Sequence, residues 1–269
     1  MTPDEEQLLH VLRVELEAVP ELLARTADPT GRHDPLPGSA LAYDDRRASP
    51  YQVSHAVRVA MLAAMDHLAC LRDSLFHWTA ADHAEAMIHT HGQAALVRGA
   101  LENASRAVWM LEPSDPDERL LRRLRLEWAE SEAQASVREL NGEAVESKDD
   151  RLRKLTDRLP PMTTDPDQIK SKQKAIKAKP DYTTIVRLAG QQVRSGSKKQ
   201  LGVWKLCSAL AHGDFRGTLG YSTVEVVAQH SPGIALAKIT GNMLLLTGGS
   251  LMAIDTMKAA LKLYGQRAI

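Results

Sequence analysis

Lys205, Ser208 and His212 recur about one turn apart in the stretch WKLCSALAHGDF, Trp204 to Phe215, which ends its helical pattern just before Gly213. An ammonium, a hydroxyl and an imidazole on one edge raise the question of a reactive edge against the wet side of a helix. At about 100° per residue these three fall within an arc of roughly 60°, while Val203, Leu206, Cys207 and Leu210 face the other way. A purely solvated face would read the same. Leu201 and Trp204 flank the polar arc, however, and a groove or a dimer seam accounts for both.

A second cluster lies in LVRGALENASRAVWML, where Arg98, Glu102, Ser105 and Arg106 share one arc of a helix that is otherwise apolar almost all round. Charges in such a setting are costly unless paired, so Arg98 and Glu102 at i,i+4 are expected to neutralise one another. That pair is either a structural ion pair or a support that orients a neighbouring site. The histidines His83, His89 and His91 invite a metal reading. His89 and His91 would sit on different sides of a helix and have no HExxH-type partner, so no metal is expected. No Walker A run, GxGxxG or GxSxG elbow is present, which removes the usual marks of nucleotide binding and of α/β-hydrolase chemistry. No cofactor is expected.

The elements that must position these residues read as helices. Leu8, Leu12 and Leu16 mark an acidic helix from about Asp4 to Val19, and residues 26–50, dense in Pro, Gly and Asp, read as an irregular loop. Ser54 is expected to cap a core helix running to Leu75, followed by a long helix through His83 and Arg98 that stops at Pro113. Ser114 is the expected cap of the next. Residues 141–180 form a charged, basic connecting region with short helices over Asp150 to Leu159 and Asp167 to Lys179. Two further helices, separated by Ser195-Gly196-Ser197, lead to the quoted stretch. Residues 216–239, rich in β-branched positions around HSPG, predict a β-hairpin, and a final helix carries Gly248, Gly249 and Ser250 for close approach. The fold class is therefore mainly α, a single helical bundle domain with a small β-hairpin before the C-terminal helix.

The 269-residue chain can bury a substantial core built from Leu, Ala, Val and Met, because aromatics are only 4%. Two distant cysteines signal neither a disulfide framework nor a zinc site, which fits a cytoplasmic setting. The acidic N-terminus lacks the build of an export signal, and MLLLTGGSLMAI is only about 12 residues against the roughly 20 of a membrane span. Net charge is zero, yet Lys148 to Lys205 holds 15 Lys/Arg against 6 Asp/Glu. Such a surplus points either to an anionic partner or to pairing with acidic helices of the same fold.

RGALENASRAVWML in an early helix and WKLCSALAHGDF in a late one resemble the corresponding helices of bacterial HEPN-type proteins. That resemblance implies a small helical bundle, often a homodimer, acting as a metal-independent ribonuclease in toxin–antitoxin or phage-defence systems, with RNA as substrate and an antitoxin-like protein as partner. The family signature is Arg-x(4–6)-His with an intervening polar residue; here Lys205 stands at the Arg position, six residues before His212 intervene, and Ser208 is the polar one. It implies that His212 exchanges a proton with the ribose 2′-hydroxyl or the leaving oxygen, Lys205 stabilises charge on the phosphorane, and Ser208 positions the phosphate. The basic segment would add salt-sensitive attraction to the RNA backbone. The competing expectation is a non-catalytic helical interaction or regulatory protein that oligomerises through the same face.

Overall fold

A computed structural model of the chain describes residues 2–26, 34–80 and 83–269. It is mainly α-helical, with two small antiparallel hairpins. In chain order the elements are α1 (Pro3–Glu17), α2 (Val19–Thr26), α3 (Ala40–Ala48), α4 (Val53–Leu75), β1 (Phe76–Ala80), β2 (His83–Ala86), α5 (Gly92–Leu111) and α6 (Pro116–Leu140). They continue with α7 (Lys148–Thr156), α8 (Pro166–Lys177), α9 (Tyr182–Ala189), a 3-10 turn (Gly190–Gln192), α10 (Ser197–Ala211), α11 (Phe215–Tyr221), β3 (Thr223–Ser231), β4 (Ile234–Thr240) and α12 (Met243–Ala268).

The centre of the molecule is α5, which packs against α4, α12, α10 and α9. Its sequence dictates this, because Val97, Ala100, Leu101, Ala104, Ala107, Val108 and Leu111 leave almost no polar side to face water, and all are buried. Small residues let α12 approach closely. A Cβ on Gly249 would lie 2.7 Å from Val97 Cγ1 and 3.2 Å from Val203 Cγ1, whereas Gly248 faces open space. By length and composition α12 could cross a membrane, but half of its most apolar window is buried in this core.

Several boundaries differ from those expected. The 26–50 stretch is not wholly irregular: residues 27–33 lie outside the described set, and Ala40–Ala48 is helical, capped by Ser39, whose Oγ accepts from Ala42 N at 3.2 Å. Ser54 is not a cap but lies inside the first turn of α4, where its N–H and hydroxyl both donate to the Asp45 carboxylate. Asp115, not Ser114, caps α6, since Pro116 supplies the pre-set first helical residue and the Asp115 carboxylate accepts from Asp117 N at 3.0 Å.

The expected long helix through His83 is broken by the β1–β2 hairpin, in which Phe76 pairs with Ala86 and His77 with Glu85. Phe76, His77, Trp78 and Thr79 are aromatic or β-branched, and this local preference for extended backbone outweighs the helical spacing on either side. The later hairpin starts at Thr223 rather than at residue 216 because Asp214 caps α11 over the first six of those residues, accepting from Gly217 N.

Away from α5, α6 is fixed to α3 by a fully buried ion pair. Arg119 donates to both oxygens of Asp44, at 2.6 and 3.1 Å, and to the Pro113 and Ser114 carbonyls, each at 2.8 Å, so every charge removed from water has a partner. Burial nonetheless pushes the Asp44 carboxyl above its usual range, against the opposing pull of Arg119.

Candidate functional site

His212 is placed by the way α10 stops. Gly213 takes a φ of 68°, a left-handed conformation open to glycine, and its N–H donates to Leu210 O at 3.0 Å. Asp214 N donates to Ala209 O at 3.0 Å and His212 N to Ser208 O at 3.1 Å. This closed C-terminal turn holds His212 at the helix end, with its side chain exposed.

From the other side, His91 at the start of α5 places a ring Nδ1 2.8 Å from Leu210 O. A carbonyl only accepts, so Nδ1 carries the hydrogen and His91 ties α5 to the last turn of α10. Gln93, fully buried, fixes the approach to α5 by donating to Met87 O at 2.7 Å and Ser74 O at 3.2 Å while accepting from His89 N at 3.0 Å.

Between these two anchored ends, Arg98 Nη1 lies 3.3 Å from His212 Nε2. A guanidinium has no acceptor, so this is a hydrogen bond only with Nε2 unprotonated; the imidazole is then neutral with its hydrogen on Nδ1. The same Arg98 is held 3.5 Å from Glu102 and lies 5.9 Å from the centroid of the Trp204 ring. Trp204 Nε1 in turn donates to Glu102 Oε2 at 3.1 Å. Ion pair, ring and imidazole therefore fix one guanidinium at the exposed end of two packed helices, with Glu102 and Trp204 acting as its clamp.

Of the seven residues singled out in the sequence, the structure brings Arg98, Glu102 and His212 into one cluster and distributes the others. Ser105 is buried beneath, accepting from Gln200 Nε2 at 3.2 Å. Arg106 is engaged by Glu130 of α6. Ser208 is half-buried in the last turn of α10. Lys205 is exposed, without an ion pair among the described residues, and sits seven residues or about 10 Å up the helix from His212. His91 and Trp204 complete the site. Trp204 was visible only as a flank of the polar arc, and His91 carried no cue to its contact with a carbonyl 119 residues away.

Electrostatics divide the basic segment into two. Near its start, Lys148 and Arg151 both pair with Glu132, Arg153 with Asp150 and Lys154 with Glu146. Near its end, Arg187, Arg194, Lys198, Lys199 and Lys205 are exposed and form no ion pair among the described residues. Lys198, Lys205 and His212 follow at seven-residue intervals and so align along one side of α10, with exposed Gly202 between the lysines leaving that side low.

Cys207 lies on the opposite face. Burial pushes its thiol up to about 12, so it is no nucleophile at neutral pH. Among the described residues no three His, Cys, Asp or Glu side chains gather as a metal site. No protein-family model matches the chain, and no curated protein sequence or solved structure matches it either.

Proposed function

We propose that the chain is a cytoplasmic, metal-independent endoribonuclease of toxin or phage-defence type, with His212 and Arg98 as its catalytic pair. The observation that carries this reading is the 3.3 Å approach of Arg98 Nη1 to His212 Nε2, which puts a guanidinium and an imidazole at one exposed point without a third element. When a phosphodiester enters, Arg98 exchanges the imidazole for a non-bridging phosphate oxygen and frees the Nε2 lone pair.

Nε2 then takes the proton of the ribose 2′-hydroxyl as that oxygen attacks phosphorus, and the P–O5′ bond breaks. The leaving 5′-oxygen takes a proton from solvent or from the imidazolium, giving a 2′,3′-cyclic phosphate and a 5′-hydroxyl end. Arg98 neutralises the charge that builds on the phosphorane, the task that the family resemblance implies for Lys205. A planar fork held by Glu102 and Trp204 suits a phosphate better than a mobile ammonium does. Lys205 and Lys198 serve the flanking backbone, and Ser208 lies in the same last turn as a further donor to the phosphate.

End-group analysis of the products tests this chemistry. Cleavage is expected to leave cyclic phosphate and 5′-hydroxyl ends and to spare a substrate with 2′-deoxyribose at the cut site. Cutting of the deoxy substrate at an equal rate would remove the 2′-hydroxyl from the mechanism and the proposal with it.

A further inference from the structure

Helix α6 and the link between α8 and α9 enclose a cavity of about 230 Å³ that the cluster at His212 does not use. Leu126, Ala129 and Ala133 recur at helical spacing on one side of α6, and the two alanines leave that side hollow. Pro180, buried, and the half-buried Tyr182 form the facing wall. That wall is fixed at both ends. Arg125 Nε donates to Ala175 O at 2.9 Å, tying α6 to α8, and the Asp181 carboxylate caps α9 by accepting from Thr183 N and Thr184 N, each at 3.1 Å. A space below the roughly 300–1,000 Å³ of a drug-sized ligand's site suits one planar ring system.

Glu130 and Lys179 are the charged groups of the lining. Arg106 bonds to Glu130 Oε1, whereas Oε2 lies 4.0 Å from Arg123 Nη1, beyond hydrogen-bond reach. Oε2 is therefore an unfilled acceptor between two guanidinium groups, a setting that repels an ammonium and takes a neutral N–H. Lys179 is exposed on the rim and forms no ion pair among the described residues. Arg106, Arg123 and Lys179 outnumber Glu127 and Glu130 there, three against two, which favours an anion on the ligand. Burial pushes the Tyr182 hydroxyl up, so it stays a neutral donor, and Arg106, Glu102 and Glu130 are the charges that act on it.

We propose that this cavity binds a nucleotide whose base carries an exocyclic amine. The ring lies between the alanines of α6 and the Pro180–Tyr182 wall, its amine donates to Glu130 Oε2, and its phosphate meets Lys179. Uracil is refused, because its one N–H on that edge stands between two carbonyl oxygens that the carboxylate repels. An aromatic amino acid fits less well, since its ammonium would enter beside Arg106 and Arg123. Binding is inferred from the cavity alone and does not need the nuclease reading.

Calorimetric titration of the full chain with the 5′-monophosphates of adenosine, guanosine, cytidine and uridine tests it. The amino-bearing nucleotides are expected to bind about tenfold more tightly than the uridine one. Ala133→Leu fills the hollow from an exposed helical position and should abolish binding with unchanged helical circular dichroism, while Lys179→Ala should weaken the nucleotide and spare the nucleoside. A short oligonucleotide of the preferred base separates the two sources of this chemistry: much tighter binding marks a base within a strand, equal binding a free nucleotide. No binding of any of the four at millimolar concentration, equal binding of the uridine nucleotide, or binding that Ala133→Leu leaves intact overturns the proposal. RNA cleavage without nucleotide binding would sink this proposal alone, and nucleotide binding without cleavage the nuclease reading alone.

Discussion

Arg98 does for its site what no single position in the late helix could do. Lys205 is about 10 Å from His212 along α10, whereas Arg98 reaches the imidazole from a different helix and arrives already clamped by Glu102 and Trp204. Arg98→Ala is therefore expected to lower RNA cleavage by about 10²–10³-fold, the scale of losing one charge-stabilising donor, and Arg98→Lys to recover only part of it. Lys205→Ala should cost less than either; steady-state rates on a short RNA check the order. The two thiols give a second residue-scale prediction. Cys70 is exposed and Cys207 is buried with its thiol pushed up to about 12, so thiol titration of the folded chain should count one reactive group, and two after denaturation. The residues of the site were legible singly in the sequence. Their meeting was not, because Arg98 and His212 are 114 positions apart and nothing in either local pattern encodes the other.

Elements with strong periodicity were read well, whereas the caps proposed at Ser54 and Ser114 and the segments decided by competing local preferences were not. The apolar faces of α4, α5 and α12 predicted core helices, and they form the centre of the molecule. The β1–β2 hairpin was missed because a few strand-favouring residues interrupt two helical patterns, a signal too short to outweigh its surroundings. The Gly248-Gly249 pair separates propensity from packing. Gly249→Ala should destabilise by about 1–3 kcal/mol through overpacking against Val97 and Val203, while Gly248→Ala, in open space, should be neutral or stabilise by up to about 1 kcal/mol. Chemical denaturation of the two variants measures the difference.

The join of α6 to α7 supplies a pH prediction. Burial alone would raise the Glu132 carboxyl, but hydrogen bonds from Lys148 and Arg151 hold it below its ordinary 4.5. A depressed acid stabilises the fold above the unfolded value, and that contribution is lost as pH falls through the folded value. Unfolding temperature should therefore drop as pH is lowered below about 4.5, and Glu132→Gln should reduce the part of that drop due to this carboxylate.

At the scale of the whole molecule, a zero net charge hides a division of labour. Acids of α6 and the following turn satisfy the early part of the basic segment, and the cations near α9 and α10 remain on the surface, Lys198 and Lys205 along the side of α10 that ends at His212. The sequence alone showed the surplus but could not separate its paired half from its free half, since pairing depends on which helices meet. The mainly α architecture, by contrast, was already set by the spacing of apolar residues in the long helices.

The proposed reaction is cleavage of a phosphodiester by an imidazole and a guanidinium with no metal. Its most direct measurement is the rate of RNA cleavage by purified chain in excess EDTA, compared with His212→Ala. Cleavage is expected to survive EDTA and to fall by about 10²–10⁴-fold in the variant. No cleavage by the wild-type chain, or cleavage that His212→Ala leaves unchanged, would contradict it.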